Sequence, residues 1–188
     1  MNILFLGDIM GKSGRKVVQK ELPKLKQLLQ IDTVILNGEN AAGGYGITPK
    51  ICEEFYELGV NIITTGNHIW DQREIIPYIS KDKNLLRPHN YPLNTPGSGY
   101  VLHKDSLNRS ILIINVMGRV FMDPLNDPIE TINNIIKNHI LGETVHSIII
   151  DIHGEASSEK MAIAHAFDGK VSFMVGTHTH IPTLDAHI

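Results

Sequence analysis

Short apolar runs recur along this chain, and nearly every one passes directly into glycine and residues that carry chemistry. Asn2-Ile3-Leu4-Phe5-Leu6 runs into Gly7-Asp8, and Thr33-Val34-Ile35-Leu36 into Asn37-Gly38-Glu39-Asn40. Asn61-Ile62-Ile63-Thr64-Thr65 runs into Gly66-Asn67-His68, and the run from Ser147 to Ile152 into His153-Gly154-Glu155. Near the end, Val171-Ser172-Phe173-Met174-Val175 delivers Gly176-Thr177-His178-Thr179-His180. Uninterrupted apolar runs of this length read as strands covered on both faces. Between them, Val17, Val18, Leu22, Leu25, Leu28 and Leu29 recur at helical spacing. They mark a helix to about Gln30 that Pro23 is expected to kink or split. Further helices are expected from Pro49, capped by Thr48, from Asp71 to Ile79, from Pro128 to Ile140, and from Ser157 or Ser158 to about Phe167. Ser110 to Val116 adds a strand, and Leu86 to Tyr100, rich in proline and glycine, reads as a long loop. The alternation predicts an α/β domain with its sheet covered by helices.

In such sheets ligands collect beyond the carboxyl ends of the strands. Asp8, Glu39, Asn40, Asn67, His68, His153, His178 and His180 all occupy that position. His178 and His180 are one residue apart, and in extended chain they project from the same face. Carboxylate, amide oxygen and imidazole together suit Mn, Fe or Zn rather than a metal that prefers thiolate. The donors outnumber what one tetrahedral ion uses. Two ions bridged by a carboxylate, about 3.5–4 Å apart, fit better, and such a pair can generate hydroxide and clamp the oxygens of a displacement at phosphorus.

Composition narrows the partners. Seventeen Lys and Arg against twenty Asp and Glu leave a net charge of −3, with no basic run to track a nucleic-acid backbone. A small anionic substrate stays open, because a metal can supply positive charge locally. A length of 188 residues argues for one domain, 1–188. The single Cys52 excludes an internal disulfide framework and fits a reducing compartment. No apolar stretch approaches the roughly 20 residues a membrane span needs, so a cytoplasmic protein without a membrane partner is expected.

In order along the chain, Gly7-Asp8-Ile9-Met10-Gly11, Asn37-Gly38-Glu39-Asn40, Thr65-Gly66-Asn67-His68-Ile69-Trp70-Asp71, Asp151-Ile152-His153-Gly154-Glu155 and Gly176-Thr177-His178-Thr179-His180 resemble the motifs of calcineurin-like metallophosphoesterases. The closer resemblance is to their bacterial branch, the YmdB-like phosphodiesterases. Met10 and Glu39 match that branch, where the wider superfamily has His and Asp. The resemblance implies a layered sheet sandwich flanked by helices, here expected to lack the strands that members carry beyond the paired histidines. It implies two divalent or trivalent transition-metal ions, Fe or Mn before Zn, and a cyclic nucleotide or another phosphodiester as substrate, with RNA open as a further partner. Residue by residue, Asp8 and His180 would hold one metal, Asn67, His153 and His178 the other, and Glu39 would bridge them. His68 would stand beside the phosphate as proton donor, and Asn40 would orient ligands or substrate.

Asp151 alternates with His153 and is a candidate support for it. Asp71 either holds the His68 ring or caps the next helix, and Glu155 either supports the site or begins a helix. His89, in the proline-rich loop, could approach substrate. His103, His139, His146, His165 and His187 have no strand-end context, and Arg15, Arg87 and Arg119 are expected as solvated guanidinium groups. Gly7 to Ser13 imitates a nucleotide-cradling loop but is one residue short of the pattern. A metal-dependent amidohydrolase, which wants a (β/α)₈ barrel of about 250 residues, and a non-catalytic metal-binding regulator are the alternative functions. An uncovered last strand is expected to favour self-association.

Overall fold

A computed structural model describes residues 1–186, so His187 lies outside the described residues. The strands are β1 (Ile3–Leu6), β2 (Thr33–Asn37), β3 (Ile62–Thr64), β4 (Leu85–Leu86), β5 (Tyr100–Lys104), β6 (Ser110–Met117), β7 (Ser147–Gly154) and β8 (Phe173–His178). They form two sheets rather than one. The first, ordered β1-β2-β3-β4, is wholly parallel. The second, ordered β5-β6-β7-β8, is parallel except that β5 runs antiparallel to β6. No (β/α)₈ barrel is formed among the described residues, which removes the scaffold the amidohydrolase alternative requires.

Alternation along the strands produces the layers. Ile35, Ile62 and Leu86 of the first sheet cluster with Ile111, Ile113 and Ile149 of the second, so the sheets pack face to face. The intervening residues Val34, Leu36, Ile63 and Leu85 point the other way, onto α1 (Gly11–Leu28), α2 (Pro49–Glu57) and α3 (Ile75–Ile79). Leu112, Ile114, Ile148 and Ile150 likewise pack against α4 (Pro128–Ile136) and α5 (Ser157–Ala166). Burying an Ile or Leu side chain is worth about 1.5–3 kcal/mol, so three stacked apolar layers, not helix propensity, hold this arrangement. Cys52 is fully buried on α2 within the first helical layer.

Several boundaries differ from expectation for local reasons. The region from Leu86 to Tyr100 is bracketed by strands β4 and β5. Their shortness and proline-rich surroundings hide them from a periodicity reading. Pro23 sits inside a continuous α1. It and Gln19 are both exposed, so water can serve the Gln19 carbonyl that a proline cannot bond. Thr48 accepts from the Ile51 N–H at 3.3 Å and starts α2. Asp127 accepts from Ile129 and Glu130 and starts α4, which ends at Ile136 rather than Ile140. Ala156, with no side-chain cap, precedes α5, which begins at Ser157 and ends at Ala166.

Candidate metal centre

Along each central strand, the residues facing the opposite sheet change from apolar to polar at the last step. Ile35 is followed two positions on by Asn37, Ile62 by Thr64, Ile113 by Asn115, and Ile149 by Asp151 and then His153, all buried. Register lines them up: Asn37 pairs with Thr64, Met117 with His153, and His153 with Thr177. The inter-sheet core therefore ends in a polar floor, and the loops just beyond it carry the potential ligands.

Glu39, His153 and His178 bring ligand atoms together in one group, and Asp8, Glu39 and His180 in a second. Glu39 belongs to both. Its Oε1 lies 3.1 Å from His153 Nε2 and 4.0 Å from His178 Nδ1. Asn67 Oδ1 is 3.0 Å and His178 Nδ1 is 3.1 Å from the same His153 nitrogen. On the other side, His180 Nε2 lies 3.6 Å from Asp8 Oδ1 and 3.1 Å from Asn40 Oδ1. The backbone N–H of His178 donates to both Asp8 oxygens at 3.2 Å. A Cβ on Gly66 would lie 2.2 Å from Glu39 Oε2 and from His153 Nε2, so only glycine lets the Asn67 segment approach this closely.

The paired histidines do not act as an extended same-face pair. The chain leaves strand geometry at His178, with φ 96°, and His180 has φ 55°. Strained dihedrals of this kind cost about 1–3 kcal/mol each and concentrate at functional sites. Here they send the two imidazoles to different ligand groups.

Behind the ligands a hydrogen-bonded web fixes their tautomers. His153 Nδ1–H donates to Thr177 Oγ1 at 2.9 Å, and that hydroxyl donates to Asp151 Oδ1 at 2.7 Å. Asp151 Oδ2 also accepts from Thr64 at 2.6 Å and from Asn37 Nδ2 at 3.0 Å, which ties the two sheets together. Burial pushes the Asp151 carboxyl up to about 6, against the pull of these donors. His178 Nε2 faces Glu155 Oε2 at 3.1 Å, leaving its Nδ1 toward Glu39. Burial and the neighbouring His153 hold His178 below the ordinary imidazole range, as a ligand needs.

These donors fit metal ions. With Nδ1 committed to Thr177, His153 Nε2 can carry one hydrogen, while Asn67 Oδ1, Glu39 Oε1 and His178 Nδ1 all present lone pairs around it. A cation satisfies them together, and a proton satisfies one.

At the rim, His68 Nδ1 pairs with Asp71 Oδ2 at 2.8 Å. Asp71 therefore holds the ring and does not cap the next helix: α3 begins at Ile75, after a 3₁₀ turn over Asn67–Trp70 that Asp71 closes. Asn40 donates to the Gly44 carbonyl at 2.8 Å, which aims its oxygen at His180. His89 is elsewhere, accepting from the Gly99 N–H at 3.3 Å and packed edge-on against Tyr100. Arg87 is buried rather than solvated, donating to the carbonyls of Pro88, Thr95 and Pro96 and so shaping the proline-rich loop. Arg15 donates to the Ala41 carbonyl and Arg119 pairs with Asp127. Lys12 is exposed, and Asp8, inside the loop that imitates a nucleotide cradle, faces the ligand cluster instead. Sequence reasoning missed Thr177, Thr64 and Asn37 as supports. Their signal was position, at strand ends beside the ligands.

The chain is similar to known proteins over its whole length. The chain is 43% identical over 188 residues to the 2′,3′-cyclic-nucleotide 2′-phosphodiesterase of Bacillus subtilis (strain 168), covering 100% of this chain and 70% of that protein. A crystal structure of a hypothetical protein from Thermus thermophilus superposes with a TM-score of 0.91 at 41% identity, over 100% of this chain and 71% of that one. A novel phosphatase from Mycoplasma pneumoniae gives 0.89 at 36% identity, over 97% and 66%. The family model described as YmdB-like protein matches residues 4–188. The chain thus belongs to the YmdB-like family, a branch of the metallophosphoesterase superfamily.

Proposed function

We propose that residues 1–188 form a single metallophosphoesterase domain, a dinuclear metal-dependent phosphoric ester hydrolase. Its substrates are small phosphodiesters, 2′,3′-cyclic nucleotides foremost. The observation that carries this reading is the membership of Glu39 in two separate ligand groups. Asp8 and His180 complete one shell, and Asn67, His153 and His178 the other. Imidazole, amide and carboxylate donors favour Fe or Mn, with Zn also compatible. When bound, the ion pair supplies Lewis acidity and a nucleophile available at neutral pH. The name of the Bacillus subtilis relative supports a cyclic nucleotide cleaved at its 2′ oxygen.

The chain's own residues supply the rest. Glu39, 1% exposed, sits at the floor of the site, and the Asp151–Thr177 web keeps the His153 ring from rotating. His68 has Nδ1 committed to Asp71, so Nε2 is the nitrogen free to give a proton to the leaving oxygen as the P–O bond breaks. Asn40 orients His180 and borders the substrate space.

Elemental analysis of purified, fully loaded protein tests the reading, paired with hydrolysis of bis-p-nitrophenyl phosphate and 2′,3′-cyclic AMP. Two ions per chain and turnover of both substrates are expected. At most one ion per chain overturns the dinuclear reading, and two ions without phosphodiester hydrolysis support a metal-binding regulator instead.

A further inference from the structure

The loop between β2 and α2 is built more carefully than a connection requires. The Gly44 N–H donates to the Asn40 carbonyl at 3.0 Å, and the Ala42 N–H to the Gly46 carbonyl at 2.9 Å. Gln72 Nε2 donates to the Tyr45 carbonyl at 2.8 Å, tying the loop to the segment after His68. Gly44 and Gly46 take φ of 103° and 76°, and a Cβ on Gly46 would lie 2.9 Å from the His68 carbonyl oxygen. Both flanks of Tyr45 are thereby fixed to the site, one through Asn40 and the other through the His68 turn.

Yet Tyr45 is 61% exposed. Among the described residues its hydroxyl has no hydrogen-bond partner, and its one ring contact is His68, with centroids 5.2 Å apart and planes at 84°. A large aromatic held in solvent on a pinned backbone contributes nothing to the core. It is suited to offering a flat apolar face to something that arrives. Met10, 48% exposed and lying against Gly44, extends the same apolar rim.

We infer that Tyr45 is a stacking platform for the substrate's nucleobase, making the site selective for base-bearing 2′,3′-cyclic phosphates. The inference rests on the proposed function and adds a specificity-determining residue to it. The link is chemical. If His68 protonates the 2′ oxygen, the base is carried on C1′, the carbon next to C2′, and so falls beside the aromatic ring that packs against His68. Any base has a π-face, so stacking tolerates purines and pyrimidines alike.

The test compares kcat/KM of metal-loaded protein on 2′,3′-cyclic AMP and on the 2′,3′-cyclic phosphate of methyl riboside, which keeps the reacting group and lacks the base. Wild type is expected to prefer the base-bearing substrate by about 10–100-fold, the range a stacked base gives, with most of the difference in KM. Tyr45→Ala should bring the ratio toward one, while Tyr45→Phe and Tyr45→Trp keep it. A wild type without the preference, or an alanine variant that loses kcat equally on both substrates, overturns the inference and makes Tyr45 a support for His68. A wild type that cleaves bis-p-nitrophenyl phosphate but neither cyclic phosphate removes the nucleotide reading itself, and this inference with it.

Discussion

The strands of this molecule end in carboxylates at both extremities, and the two ends neutralise them differently. At the amino end, Asp32 just before β2 and Asp105 before β6 share Arg109, at 2.8 and 2.6 Å. At the carboxyl end, Glu39 just past the same β2 meets Asp8, and among the described residues every ion-pair partner within 4 Å of either is a histidine. A guanidinium is a permanent cation that closes a cluster, whereas imidazoles are neutral lone-pair donors as readily as they are cations. Burial opposes ionisation of Glu39, yet its hydrogen bond and charge interaction with His153 hold the carboxyl below its usual range. The same pair holds His153 above its own, against burial. One end is a finished structural clamp, and the other is a negative pocket whose positive charge can be exchanged for metal.

The largest effect should come from removing the residue that both ligand groups share. Glu39→Ala is expected to lose both ions together and to reduce hydrolysis to background, measured by elemental analysis alongside activity. Retention of one full equivalent would break the claim that the carboxyl end is a single cooperative cluster.

His68 sharpens the contrast, since it borders the candidate ligands without belonging to either group. His68→Ala should lower turnover by roughly 10²–10⁴-fold with metal content intact. The loss should be smaller for p-nitrophenyl esters, whose leaving group hardly needs a proton. Equal losses on activated and natural esters, or loss of metal, would remove it from the general-acid role.

A subtler change separates the ligands from their support. Thr177→Val keeps the side-chain shape but deletes the hydroxyl between His153 and Asp151. Supports of this kind typically change metal affinity by about 10–100-fold. We expect that loss at the His153 side only, seen as one of two ions leaving earlier in a chelator titration. Simultaneous loss of both ions would mean that the web supports the whole cluster.

How much of this the chain disclosed follows from what repeats along it. Runs such as Thr33–Leu36 announce strands because both faces are buried, and their polar successors announce a site at the carboxyl ends. The same double burial conceals which sheet a strand joins: Ile35 and Ile149 read alike, although only the structure shows them facing each other. β4, with two residues, is too short for any periodicity, and β5 hides behind Pro96, Gly97 and Gly99. The place of Glu39 in both candidate groups is three-dimensional, and along the chain only the resemblance of Asn37-Gly38-Glu39-Asn40 to a family motif pointed to it. Arg87 could not be read as buried, because its partners are backbone carbonyls of its own loop. Tyr45 left a faint sign, an aromatic set among Gly43, Gly44 and Gly46.

The smallest expected effect lies at the amino end and serves as the control for the rest. Asp32 accepts from the Asn2 N–H at 2.8 Å and from Arg109, and these hold its carboxyl below the usual range, the Asn2 bond most strongly. Asp105 is shifted the same way: burial pushes it up, but bonds from the Arg109 and Leu107 backbone and from the Arg109 guanidinium outweigh that. A carboxyl with a depressed folded-state value binds fewer protons folded than unfolded. Its stabilisation is therefore complete above the unfolded value, about 3.9 for Asp, and is lost as pH falls through the lower folded value. Melting temperature should drop with acid in this window, and Asp32→Asn should show a shallower drop from a slightly lower start, since the pairs are partly exposed and screened. Metal content and turnover of Asp32→Asn at neutral pH should match wild type. A variant that instead lost metal would show that the two ends are coupled through β2, and the contrast between clamp and pocket would fail.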